Sequence, residues 1–166
     1  GGWYNSGGNL LEHGREIEKW LAERDSEQPF YLQIGCGQTH RPWGEGTVPP
    51  DDSLGVTVPP YLHDTPEIRS EIAQFQGAVR NLDEGLGGIM DALDRSAATE
   101  DTIFVFTTDH GADLPRAKGT FYDPGIGVFL FMRYPGWGRG RVADEMISNV
   151  DVLPTLLDAC EIDEPR

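Results

Sequence analysis

The chain has 166 residues, 38% hydrophobic and 10% aromatic, enough for a single globular core. Its 28 acidic and 13 basic side chains give a formal charge of −15. With no basic stripe, that charge argues against a nucleic acid partner and against an anionic membrane surface. No stretch approaches the roughly 20 apolar residues needed to span a bilayer, and the opening GGWYNSGG, without an initiator Met, reads as the interior of a longer chain.

Residues 9–24 carry Leu10, Ile17, Trp20 and Leu21 at helical spacing and predict an amphipathic helix. PFYLQIG (29–35) reads as a short apolar strand. It runs into a segment, 36–64, that carries five prolines and no sustained period; a long loop of this kind is usually functional. Asp64 or Thr65 then caps a helix with Pro66 in its first turn and Ile68, Ile72, Phe75, Val79, Leu82, Leu86, Ile89 and Leu93 on one stripe. Gly77, Gly85, Gly87 and Gly88 interrupt that helix, each at about 1 kcal/mol in propensity, so something is expected to pack closely against it.

TIFVFTT (102–108) and IGVFLFMR (126–133) read as strands buried on both faces, as in a parallel sheet. SNVDVLPTLLDAC (148–160) reads as a helix capped by Asp151 with Pro154 in its first turn. The alternation of helices and strands is α/β, without internal repeats. Cys36 and Cys160 show no metal-type spacing, and two free thiols are favoured over a disulfide.

Open α/β sheets bind ligands beyond the carboxyl ends of their strands. Two strand ends carry chemistry: Cys36, Gln38, Thr39, His40 and Arg41 at one, and Asp109, His110, Arg116 and Lys118 at the other. Singly, each has a bland reading, as a turn cap, a structural histidine or a solvated charge. Together they point to a shared crevice. Asp109 and His110 supply an oxygen and a nitrogen, half of a divalent metal site. Lys118 and His40 are suited to an anionic group whose other oxygens face the metal, an arrangement that polarises a sulfuryl or phosphoryl ester.

PFYLQIGCGQTHRPW, TPEIRSEIAQFQGAVRNLDEGLGGIMDAL, TIFVFTTDHG, AKGTFYDPGIGVFLF and SNVDVLPTLLDAC occur in the order seen in sulfatases of the alkaline phosphatase superfamily, and the sequence resembles that family from about residue 15 to 162. The proline-rich insert is most similar to the sulfamidase and iduronate-type branch. The resemblance implies an alkaline-phosphatase-like α/β sandwich, with a mainly parallel sheet flanked by helices and incomplete here. It implies Asp109 and His110 as metal ligands, usually to calcium. By the same resemblance Lys118 and His40 are catalytic residues that contact the sulfate and its leaving group.

The departures matter as much. The formylglycine of sulfatases arises from Cys or Ser in Cys/Ser-x-Pro/Ala-x-Arg, and Cys36, Cys160 and Ser96 all lack that context. The paired N-terminal aspartates are missing too, since Asp51 and Asp52 lie between prolines. Residues 1–166 are therefore expected to form part of a single sulfatase catalytic domain, with the nucleophile segment and the C-terminal subdomain outside them. The expected reaction is hydrolysis of a sulfate ester or N-sulfate on a sulfated small molecule or glycan, and the chain alone is expected to be inactive. Two alternatives stand beside it: a phosphonate or phosphodiester hydrolase of the same superfamily, and a non-catalytic module that binds sulfated ligands.

Overall fold

The computed structural model describes residues 10–43, 48–137 and 140–163. Helix α1, Leu10–Glu23, and helix α2, Pro66–Arg95, form its central layer. The Thr65 side chain accepts the Ile68 N–H at 3.4 Å and Pro66 occupies the first turn, which starts α2 as the sequence predicts. At the other end Ser96 closes the helix on the Leu93 carbonyl through both its N–H and its hydroxyl.

Small residues decide how closely the two helices approach. A Cβ built on Gly85 would lie 2.5 Å from Leu10 Cβ and 2.8 Å from its carbonyl carbon, and one on Gly14 would meet the Gly88 backbone at 3.2 Å. The close packing expected at the α2 glycines is thus present at Gly85, and Gly14 rests on the Gly88 backbone, while a Cβ on Gly87 or Gly88 would meet nothing within 4 Å. Gly77 serves the loop instead. Its missing Cβ makes room for the Pro49 carbonyl, and the Asp51 N–H bonds to the Ala73 carbonyl. The proline-rich segment is laid along α2 by these contacts, by Gln76 and by the Arg80–Asp51 ion pair.

Leu10, Ile17, Leu82, Ile89 and Ala92 make one buried cluster, with Leu32, Ile34, Phe104 and Phe106 packed on it. A second cluster, Trp43, Ala78, Leu114 and Ala117, lies nearer the start of α2 and underlies the loops described below. Strand β1, Phe104–Thr107, pairs with strand β2, Leu130–Arg133, in the register Phe104↔Arg133 to Thr107↔Leu130.

Four expectations need correction. The ladder between β1 and β2 is antiparallel, not parallel, because residues 108–129 hold only loops and the four-residue helix α3, Asp123–Ile126, which returns the chain to the end it left. The strands are also shorter and only partly buried, and Ile126 ends α3 because Asp123-Pro124-Gly125 starts a helical turn there. Residues 29–35 are extended, with Phe30, Leu32 and Ile34 turned inward by alternation, yet they join no ladder among the described residues. Finally, Asp151 does not cap by accepting helical N–H groups of α4, Val152–Ala159. Its carboxylate reaches back to the Ser148 N–H at 2.7 Å and closes a capping box around the turn Asn149–Asp151.

Candidate functional site

Because Thr107 faces Leu130, the loop 108–129 stays at one end of the ladder and keeps Asp109, His110 and Lys118 there. Two glycines fold it. A Cβ on Gly111 would come within 1.8 Å of the Pro124 carbonyl oxygen, and one on Gly125 within 2.4 Å of the Ala117 carbonyl oxygen. The Gly111 N–H bonds to the Gly125 carbonyl at 3.0 Å. Asp-His-Gly and Asp-Pro-Gly are therefore two halves of one backbone clasp, and the Lys118 N–H is tied to the Ala112 carbonyl within it.

The second loop, 36–43, is anchored by Gln38. Its amide oxygen accepts the Leu10 N–H at 2.8 Å and its Nε2 donates to Asn81 Oδ1 at 2.8 Å, so a residue read as part of the strand-end cluster fastens the loop to both helices. The two loops meet where Lys118 Nζ lies 3.3 Å from His40 Nε2. His40 Nδ1 is 2.6 Å from the Arg41 carbonyl. A carbonyl only accepts, so Nδ1 carries the hydrogen and Nε2 presents its lone pair to Lys118.

Asp109 and His110 sit side by side. Asp109 Oδ1 accepts the His110 N–H, and His110 Nδ1 donates to the Gly111 carbonyl at 2.8 Å. That leaves His110 Nε2 facing Asp109 Oδ2 at 3.4 Å, two electron-rich atoms with no donor of their own between them. A proton or a divalent cation satisfies both, so this donor pair fits a metal. No hydrogen bond or ion pair joins Asp109 or His110 to His40 or Lys118 among the described residues. No group of three or more His, Cys, Asp or Glu suited to a metal occurs among them either, so any complete site needs further ligands.

Sequence reasoning missed Asp113, Glu71 and Trp43. Asp113 Oδ2 lies 3.8 Å from Lys118 Nζ, and its main-chain carbonyl accepts Arg41 Nε at 2.7 Å. Glu71 receives Arg41 Nη1 and the Trp43 indole N–H. The cations of the site are thus offset by carboxylates directly behind them. Arg116, at the expected strand end, points elsewhere, to the Tyr61 carbonyl. Cys36 is exposed at its edge, yet the packing around its sulfur pushes its thiol above the ordinary range, against a smaller opposing effect of the Gln38 backbone.

The family model for sulfatases matches residues 14–162. The chain belongs to the sulfatase family. Family members are metal-dependent hydrolases of sulfated compounds. This sulfatase chain is 28% identical to human N-sulphoglucosamine sulphohydrolase, over 95% of its own length and 38% of that protein. It is also 28% identical to an ulvan-active sulfatase of Formosa agariphila, over 86% of its length and 24% of the relative. A solved structure from the glycosaminoglycan metabolism of Bacteroides thetaiotaomicron superposes with a TM-score of 0.74 at 23% identity, covering 92% of this chain and 35% of that one. The fold is accordingly the alkaline-phosphatase-like α/β of sulfatases, and the sulfatase chain spans well under half the length of these relatives.

Proposed function

We propose that the enzyme to which this sulfatase chain contributes hydrolyses sulfate esters or N-sulfates on carbohydrate, with Lys118 and His40 on the sulfate group and its leaving atom and Asp109 and His110 on calcium. The observation that carries this reading is the 3.3 Å approach of Lys118 Nζ to His40 Nε2 across 78 residues of sequence. Two nitrogen groups held together suit an oxyanion, and the relatives named for N-sulphoglucosamine and ulvan support the reading of that oxyanion as a sulfate on a sugar.

Lys118 is tethered at its rear by Asp113 and keeps further N–H donors to offer to a sulfate oxygen. His40 is turned by the Arg41 carbonyl so that Nε2 faces Lys118 and the space beyond it. Asp109 and His110 would each give one ligand atom to the ion, which when bound neutralises charge developing on the sulfate oxygens. Residues 1–166 are read as part of one catalytic domain, with the formylglycine nucleophile and the remaining metal ligands on polypeptide outside them.

The test is turnover by the complete enzyme on an aryl or sugar sulfate and on an aryl phosphodiester. The sulfate should be the better substrate, and Lys118→Ala should lower kcat by about 100- to 1,000-fold, as loss of an oxyanion donor does. Near-normal rates in that variant, or a preference for the phosphodiester, would remove the proposal.

A further inference from the structure

We propose that Arg41 is a positioning residue: by clamping its own main chain between Glu71 and Asp113 it locks His40 in the Nδ1–H tautomer, with Nε2 as acceptor toward Lys118. The role of His40 in turnover rests on the reading above; the clamp rests on geometry alone. Arg41 is held at three points. Its Nε donates to the Asp113 carbonyl at 2.7 Å, its Nη1 pairs with Glu71, and its guanidinium stacks on the Trp43 ring at 4.8 Å from the centroid. Trp43 is itself buried and bonded to the same Glu71 oxygen at 2.7 Å.

The anchored side chain fixes the carbonyl that receives His40 Nδ1–H at 2.6 Å. Two contacts then demand one tautomer. The carbonyl requires a hydrogen on Nδ1, and an ammonium, which only donates, requires a lone pair on Nε2. An unconstrained imidazole in water favours the other form, with the hydrogen on Nε2. That form would set two donors against each other and separate the pair. Asp113 serves both members, since its carbonyl takes Arg41 and its carboxylate lies 3.8 Å from Lys118. A lysine at position 41 keeps the charge but lacks the planar fork that reaches Asp113 and Glu71 together.

Long-range proton–nitrogen spectra of the histidine rings of the 166-residue chain, at a pH where His40 is neutral, test this without any turnover. His40→Gln assigns the signals. The unaltered chain should show His40 with a pyrrole-type Nδ1 and a pyridine-type Nε2. Arg41→Lys, with helical circular dichroism retained, should move His40 to a mixture rich in the Nε2–H form. An Nε2–H tautomer in the unaltered chain overturns the proposal, and so does a folded Arg41→Lys chain that keeps Nδ1–H alone. Should Arg41→Lys fail to fold, Glu71→Gln carries the same test, because it leaves Arg41 in place but removes the charge that holds it. None of these spectra depends on sulfate hydrolysis, so failure of the functional reading and failure of the clamp are separately visible.

Discussion

Cys36 lies four residues before His40 and resembles a nucleophile only by position. The packing around its sulfur holds the thiol in its protonated form, which is neither nucleophile nor metal ligand. Cys36→Ser in the complete enzyme should leave kcat unchanged, and a large loss in a steady-state assay would return Cys36 to the site. The sign of the linkage follows. A thiol whose folded pKa is raised favours the folded chain as long as it stays protonated. The unfolded chain loses that proton first, from the ordinary value of 9.0 upward, so stability falls on the alkaline side, and Cys36→Ser should flatten that fall in urea titrations. At this scale the motif residues were legible because Asp109, His110, Lys118 and His40 stand in recognisable strings. Glu71 and Asp113 were not. Their roles depend on Arg41, 30 and 72 positions away, and no local pattern in the sequence records a contact of that span.

Helix α2 shows what periodicity can and cannot supply. Its cap, its first-turn proline and its apolar stripe are local, and each reads directly from sequence. The four glycines looked alike there, yet they separate by surroundings. Gly85→Ala drives a Cβ into the Leu10 side chain and backbone, and the two helices must part; a loss of about 1–3 kcal/mol is expected by urea denaturation. Gly87→Ala meets nothing within 4 Å and should stabilise by about 0.4–1 kcal/mol, by restricting the unfolded chain. Equal effects of the two substitutions would mean that the α1–α2 contact is not set by Gly85. Strand pairing was less legible, since alternation fixes which side chains face inward but not which neighbour supplies the hydrogen bonds. Residues 30–34 show the gap: Leu32 and Ile34 pack on the core, while the backbone groups of the segment have no backbone partner among the described residues. Amide exchange at Tyr31, Leu32, Gln33 and Ile34 should therefore be fast in this chain, and the interior amides of α2 from Ile72 to Leu93 slow. Protection at 31–34 comparable to α2 would show that a partner strand is in place.

Over the whole molecule, apolar surface is left outside the two core clusters. Phe131 is 65% exposed on β2 and forms an aromatic row with Phe129 and Phe106, while Val150 and Leu153, at 77% and 65%, stand at the start of α4. Asn149 ties that segment to Thr107 and Thr108 at the end of β1, and Tyr134 ties Ala159 to the far end of β2, so these side chains border the same small sheet. Burying one such side chain is worth about 1.5–3 kcal/mol, and folded monomers rarely leave several together in water. Against association stands a charge of −15, which makes copies of the chain repel at low ionic strength. The two effects respond oppositely to salt. Screening shortens the reach of repulsion to about 10 Å at 0.1 M and leaves apolar contact intact. Sedimentation velocity should accordingly show self-association that grows with added salt, with a hydrophobic dye bound by the free chain and released as it associates. Phe131→Lys should reduce both. Association that weakens with salt would indicate ion pairing instead, and a monomer that binds no dye at any salt would mean that this sheet face is covered in solution.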